Sequence, residues 1–216
     1  MKGIKNIIFD FDGTLADTSG IILATTKKSV EELGLPEKTE EEIKSTIGLR
    51  LEEIPNILWP DNEGNGKIFA ECYRRNFNLM KDKIKVNLFP GVKDILRVLS
   101  NKKYKMAIAT SRSKRSVMEL TEQLEIKGFF GLILGGDDVS EGKPNAESIY
   151  KIISLTDWEP ENTIMIGDMP VDILMGKNAG VRTCGVTYGN GKESDLRIAG
   201  ADRIIMSFYN LPDVID

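Results

Sequence analysis

Residues 4–18 read Ile4-Lys5-Asn6-Ile7-Ile8-Phe9-Asp10-Phe11-Asp12-Gly13-Thr14-Leu15-Ala16-Asp17-Thr18. The apolar run Ile7-Ile8-Phe9 stops at a pair of carboxylates and a glycine. A short run that is apolar at successive positions, rather than at alternate ones, suits a strand covered on both faces. Comparable runs recur at Met106-Ala107-Ile108-Ala109, Leu132-Ile133-Leu134 and Ile164-Met165-Ile166, with weaker relatives at Val181–Val186 and Ile204-Ile205-Met206. Helical patterns over 92–102, 113–126, 145–155 and 171–179 separate the later runs. This alternation predicts an α/β protein built on a doubly wound parallel sheet.

The first run breaks the rhythm. Between it and the strand expected near 104 lies a long stretch with helical patterns at Ile21–Leu33, Glu40–Thr46 and Ile68–Met80. Turn signals at Gly34-Leu35-Pro36 and over Pro60–Gly66 punctuate them. A crossover of that length exceeds one helix, so residues 18–87 are expected to form a small inserted helical domain. Residues 1–17 and 88–216 would then make the α/β core. A long decorated crossover lying on the sheet is the plainer alternative.

With 216 residues the chain can bury a sizeable core, and 41% hydrophobic against 29% charged residues is an ordinary globular balance. A net charge of −4, with the basic residues scattered, supplies no electrostatic footprint for nucleic acid. Cys72 and Cys184 have no metal-ligand spacing and read as two thiols in a reducing cytosol. The apolar runs are too short for a signal-peptide core or a membrane span, so a cytoplasmic protein is expected. The chain contains no histidine, which removes every Ser-His or Cys-His pair and every His-based metal site.

Ligands of open α/β sheets bind beyond the carboxyl ends of the strands. There the first run delivers Asp10 and Asp12, the second Thr110 and Ser111, and the fourth Asp168, with Asp172 four residues on. Gly142-Lys143-Pro144 precedes the helix expected from 145. Converging aspartates repel one another unless a cation neutralises them, and an all-oxygen set with phosphate completing the shell suits Mg²⁺. Lys143 and a strand-end hydroxyl can hold phosphoryl oxygens. An aspartate can attack phosphorus directly, while a second carboxylate two residues on handles the proton.

The segment Asp10–Thr18 resembles the first signature motif of the haloacid dehalogenase-like phosphatase superfamily. Thr110 matches its second motif, Lys143 its third and Gly167-Asp168-Met169-Pro170-Val171-Asp172 its fourth, with Gly176-Lys177-Asn178-Ala179-Gly180 trailing typically. The resemblance spans residues 4–190 with the motifs in order. It implies Asp10 as nucleophile and metal ligand, and Asp12 as general acid/base that binds the metal through its main-chain carbonyl. It also implies Thr110 and Lys143 as phosphoryl ligands and Asp168 as the second carboxylate on Mg²⁺. Asp172 would support the metal's waters or orient Lys143, and Ser111 would assist at the phosphoryl group. The insert resembles the cap of subfamily I, with a phosphoglycolate phosphatase-like flavour, and Arg50 in Ile47–Glu53 is the candidate for contacting the rest of a small phosphorylated metabolite.

Each residue also has a plainer reading. Asp-x-Asp-Gly alone is a common turn, Asp168-Met169-Pro170 a helix start, and Lys143 a solvated loop lysine. Arg50 reads equally well as an exposed helix-start arginine, and Arg112, Lys114 and Arg115 as an ordinary solvated helix start. Among other functions, a receiver-type signalling module also uses Asp, Thr or Ser, and Lys. It lacks an acid/base two residues beyond its phosphoacceptor and carries no insert. A sugar phosphomutase or a pyrophosphatase would satisfy the same core motifs.

Overall fold

The computed structural model describes residues 1, 3–61 and 65–215. Asn62, Glu63 and Gly64, in the turn signal expected over Pro60–Gly66, lie outside the described residues. The chain opens with β1 (Asn6–Phe9) and β2 (Ala16–Asp17), then passes through α1 (Ser19–Glu32), α2 (Glu40–Ser45), α3 (Ile54–Leu58) and α4 (Gly66–Met80). It returns through β3 (Asn87–Leu88) to α5 (Val92–Asn101), β4 (Lys105–Ala109), α6 (Lys114–Gln123), β5 (Leu132–Leu134) and α7 (Glu147–Thr156). The remainder is β6 (Thr163–Gly167), α8 (Pro170–Asn178), β7 (Arg182–Val186), α9 (Glu193–Ile198), β8 (Arg203–Ile205) and α10 (Leu211–Ile215).

Six strands form one parallel sheet in the order β5-β4-β1-β6-β7-β8. All four residues of β1 and all five of β6 are buried, as strands with covered faces require. Successive side chains point to opposite faces. Ile7 and Phe9 accordingly join one core with Val92, Leu96, Leu99 and Phe208. Ile8 joins the other, with Ala107, Met165, Ile149, Ile152 and Met175. The doubly wound α/β sheet read from the sequence is the observed architecture.

Helices α1, α3 and α4 gather around their own core of Ile21, Val30, Leu58, Trp59, Phe69 and Tyr73. Thr39 caps α2 reciprocally: its hydroxyl accepts from the Glu42 amide at 3.2 Å, and the Glu42 carboxylate accepts from the Thr39 amide at 2.8 Å. The chain leaves for this cluster and returns from it side by side, because β2 and β3 pair antiparallel, Ala16 with Leu88 and Asp17 with Asn87. That ribbon was not foreseen, and neither were α3, α9 and α10. All are too short to show a hydrophobic period.

Candidate active site

The strand order reverses at β1, where the chain first continues to one side through β4 and β5 and later to the other through β6. Ligands of open sheets bind at this position. The in-register pairing of Phe9 with Ile108 and Ile166 brings Asp10, Thr110 and Asp168 to one edge. Asp10 donates its amide to the Ile166 carbonyl at 2.8 Å, and Thr110 donates its own to Leu134 at 3.1 Å. The loop after β5 supplies Lys143. Asp10, Asp12, Thr110, Lys143, Asp168 and Asp172 are all buried.

Lys143 stands between two carboxylates. Its Nζ donates to Asp10 Oδ1 at 2.5 Å and to Asp172 Oδ1 at 2.7 Å. Burial works against its charge, yet the two aspartates hold the ammonium well above the usual lysine range. Asp172 sits in the first turn of α8, behind Pro170, and its Oδ2 accepts from the Met169 amide at 3.0 Å. One carboxylate therefore caps the helix and orients the lysine.

Asp168 Oδ1 accepts from Thr14 Oγ1 at 3.1 Å, and its Oδ2 accepts from the backbone and side chain of Asn190 at 2.8 and 3.1 Å. Gly13 closes this corner with φ of +84°, and a Cβ there would lie 2.1 Å from Asp168 Oδ2. Asn190 escaped sequence reasoning. Its signal is Thr187-Tyr188-Gly189-Asn190-Gly191, which follows the apolar run 181–186 at another strand end.

Asp10, Asp168 and Asp172 each offer an oxygen within 4.8 Å of the others. The Asp10 carboxyl is held well above its usual range, foremost by burial and then, against the pull of Lys143, by Asp172, Asp168 and Asp12. Burial and Asp172 likewise push Asp168 up to about 7, although Asn190 and Thr14 oppose them. Three buried carboxylates against one lysine leave a deficit of positive charge. Their oxygen-only donor set fits a hard divalent cation.

The Asp12 carboxylate lies outside that trio and faces Arg112. Arg112 donates from Nε at 3.1 and 3.2 Å and from a terminal nitrogen at 2.5 Å, and the two side chains are 8% and 11% exposed. The guanidinium also lies over the Phe77 ring of α4, 5.1 Å from its centroid. Asp12 holds the Arg112 charge more firmly than usual, although burial opposes it. This corrects the reading of Arg112 as a solvated helix start. Lys114 and Arg115 do pair at the surface, with Asp138 and Glu119.

Arg50 reaches across from the helical insert, but to the protein itself. Its terminal nitrogens donate to the carbonyls of Ser140 and Val139 at 2.7 Å and of Gly136 at 3.2 Å. Ser111 Oγ donates to the Gly48 carbonyl of the insert at 2.5 Å. Arg50 and Ser111 thus fasten the insert to the core. Between insert and core lies a cavity of about 560 Å³, lined by Asp10, Asp12, Thr110, Arg112, Ile47 and Phe77 among others.

A buried acidic site thus lies at the switch point of a doubly wound sheet and opens to a cavity beneath a helical insert. The haloacid dehalogenase-like hydrolase family model matches residues 7–186, and the chain belongs to that family. A phosphoglycolate phosphatase of Chromobacterium violaceum is 30% identical over the whole chain and 98% of the relative's length. The pyrophosphatase PpaX of Halalkalibacterium halodurans is 30% identical over 98% of the chain and 97% of its own. A haloacid dehalogenase-like hydrolase of Streptococcus pneumoniae superposes with a TM-score of 0.88 at 28% identity, covering 99% of both chains. The chain is an enzyme of the hydrolase class, and these two named relatives are phosphatases.

Proposed function

We propose that this hydrolase is a Mg²⁺-dependent phosphatase that cleaves a small phosphate monoester through an aspartyl-phosphate on Asp10. The observation that carries the reading is the buried junction of Lys143 with Asp10 and Asp172 at the end of β1, beside Thr110. Asp10 attacks phosphorus, and the bond from phosphorus to the leaving oxygen breaks as Asp12 delivers a proton to that oxygen. Asp12 then takes a proton from water. The water oxygen attacks phosphorus, releasing inorganic phosphate and restoring the Asp10 carboxylate. Thr110 and Lys143 hold the phosphoryl oxygens, with Ser111 fixing the loop between them and the insert.

Asp10, Asp168 and the Asp12 main-chain carbonyl are the proposed cation ligands, with Asp172 turned toward Lys143. When bound, the cation offsets the repulsion between an anionic nucleophile and a phosphate ester. The chain's relatives support two substrate readings, phosphoglycolate and inorganic pyrophosphate. Asp10→Asn is nearly isosteric and is expected to abolish turnover while the circular-dichroism spectrum stays native. Substantial activity in that variant sinks the nucleophile assignment. EDTA is expected to silence the enzyme and Mg²⁺ to restore it, whereas full activity in chelator refutes the metal role.

A further inference from the structure

We propose that Arg112 is the specificity residue of this site and selects substrates with a second anionic group next to the scissile phosphoryl oxygen. The inference rests on the phosphatase reading above. It starts from a conflict within the site, because the carboxylate assigned to the proton is clamped by a buried guanidinium. The Asp12 carboxylate is turned to Arg112, and to reach a leaving oxygen it must loosen from that guanidinium. A buried arginine stripped of its partner is costly, so a replacement anion must arrive with the substrate.

The neighbouring basic groups are otherwise engaged. Arg50 gives its terminal nitrogens to backbone carbonyls, leaving only its buried Nε without a partner, while Arg74 pairs with Glu52, Arg115 with Glu119, and Lys143 with Asp10 and Asp172. Arg112 alone of these faces a group that the reaction requires to move. Its position is fixed independently of Asp12, by its own amide on Thr110 Oγ1 at 3.2 Å, by its donation to Ser116 Oγ at 3.1 Å and by the Phe77 ring. Because Arg112 lies against Asp12, a leaving group whose bridging oxygen reaches Asp12 brings its next atoms to the guanidinium. A carboxylate or a phosphate there offers the planar or tripod oxygens that a guanidinium grips bidentately. Phosphoglycolate and pyrophosphate both carry such a group. Arrival of that anion frees Asp12, so recognition and proton delivery are one event.

The test compares kcat/KM of the full-length enzyme in Mg²⁺ for phosphoglycolate and pyrophosphate against two esters lacking the second charge, ethyl phosphate and phosphoglycolamide. The native enzyme is expected to favour at least one doubly anionic substrate by about 100-fold or more, since a site built for a polar group rejects analogues without it. Which one it favours tells carboxylate from phosphate. In Arg112→Met that ratio is expected to collapse to below about 5, and Arg112→Lys to retain part of it. An equal fall on all four substrates, leaving the ratio intact, would make Arg112 a support for Asp12 only and overturn the proposal. Native enzyme without preference overturns it too, whatever the folding of the variants. Absence of turnover on every one of the four substrates is a different result, which removes the phosphatase reading and this inference with it.

Discussion

Gly13 illustrates how closely this site is built at single positions. It combines a left-handed backbone with a Cβ position 2.1 Å from Asp168 Oδ2. Gly13→Ala is expected to cost at least about 1–2 kcal/mol from the backbone alone and to weaken Mg²⁺ binding by displacing Asp168. Thermal melts with and without the cation measure both. Asp168 itself, at about 7 against an ordinary 3.8, sets a pH dependence. A carboxyl raised in the folded state binds its proton more tightly there than in the unfolded chain. It therefore favours folding at low pH, and the advantage is lost as pH climbs from about 4 through about 7. The difference between melts in EDTA and in Mg²⁺ is expected to widen across that interval, because the cation replaces the departing proton. A difference independent of pH contradicts this. The meeting of Asp10, Asp12, Thr110, Lys143, Asp168 and Asp172 was legible because each lies just beyond a strand end, just before a helix or in its first turn. Arg112 was not, since its partner lies 100 residues away and a basic residue before a helix looks solvated.

Among the elements, the loop between β5 and α7 does most to join insert and core. It carries Lys143 to Asp10 and, through the carbonyls of Gly136, Val139 and Ser140, receives Arg50. Gly142 lies under that arginine, where a Cβ would come within 2.8 Å of Nε. Arg50→Ala is expected to release the insert, raising KM and speeding limited proteolysis in the segments around 17 and 87. Unchanged cleavage kinetics would show that the Ser111 and Phe77 contacts hold the insert to the core alone. The long helices and buried strands were readable from their periods. Where Arg50 docks was not, because its acceptors are backbone carbonyls and leave no mark in the side-chain sequence.

Across the whole molecule, the helical insert has an apolar core apart from the two that flank the sheet, and the two tryptophans divide between insert and sheet. Trp59 packs in the helical cluster and Trp158 on the sheet. Phe69→Ala removes a fully buried ring from the helical cluster and is expected to destabilise it by about 3–5 kcal/mol. Urea unfolding followed in Trp59→Phe and Trp158→Phe backgrounds is expected to show the Trp59 signal changing first in that variant. Coincident transitions would mean that insert and sheet unfold as one. The overall plan was legible because a long stretch of helical patterns, too long for one crossover helix, separates the first apolar run from the next strand of the main sheet, β4.

The β2–β3 ribbon has a consequence for how such a protein changes over evolutionary time. The chain departs from the core at Ala16 and comes back at Leu88, and those residues are direct neighbours. Everything between them hangs from a single address, so the roof can be exchanged, enlarged or trimmed without the sheet having to be rewired. New chemistries of recognition can be tried on one side of that junction while the acidic edge on the other is inherited whole.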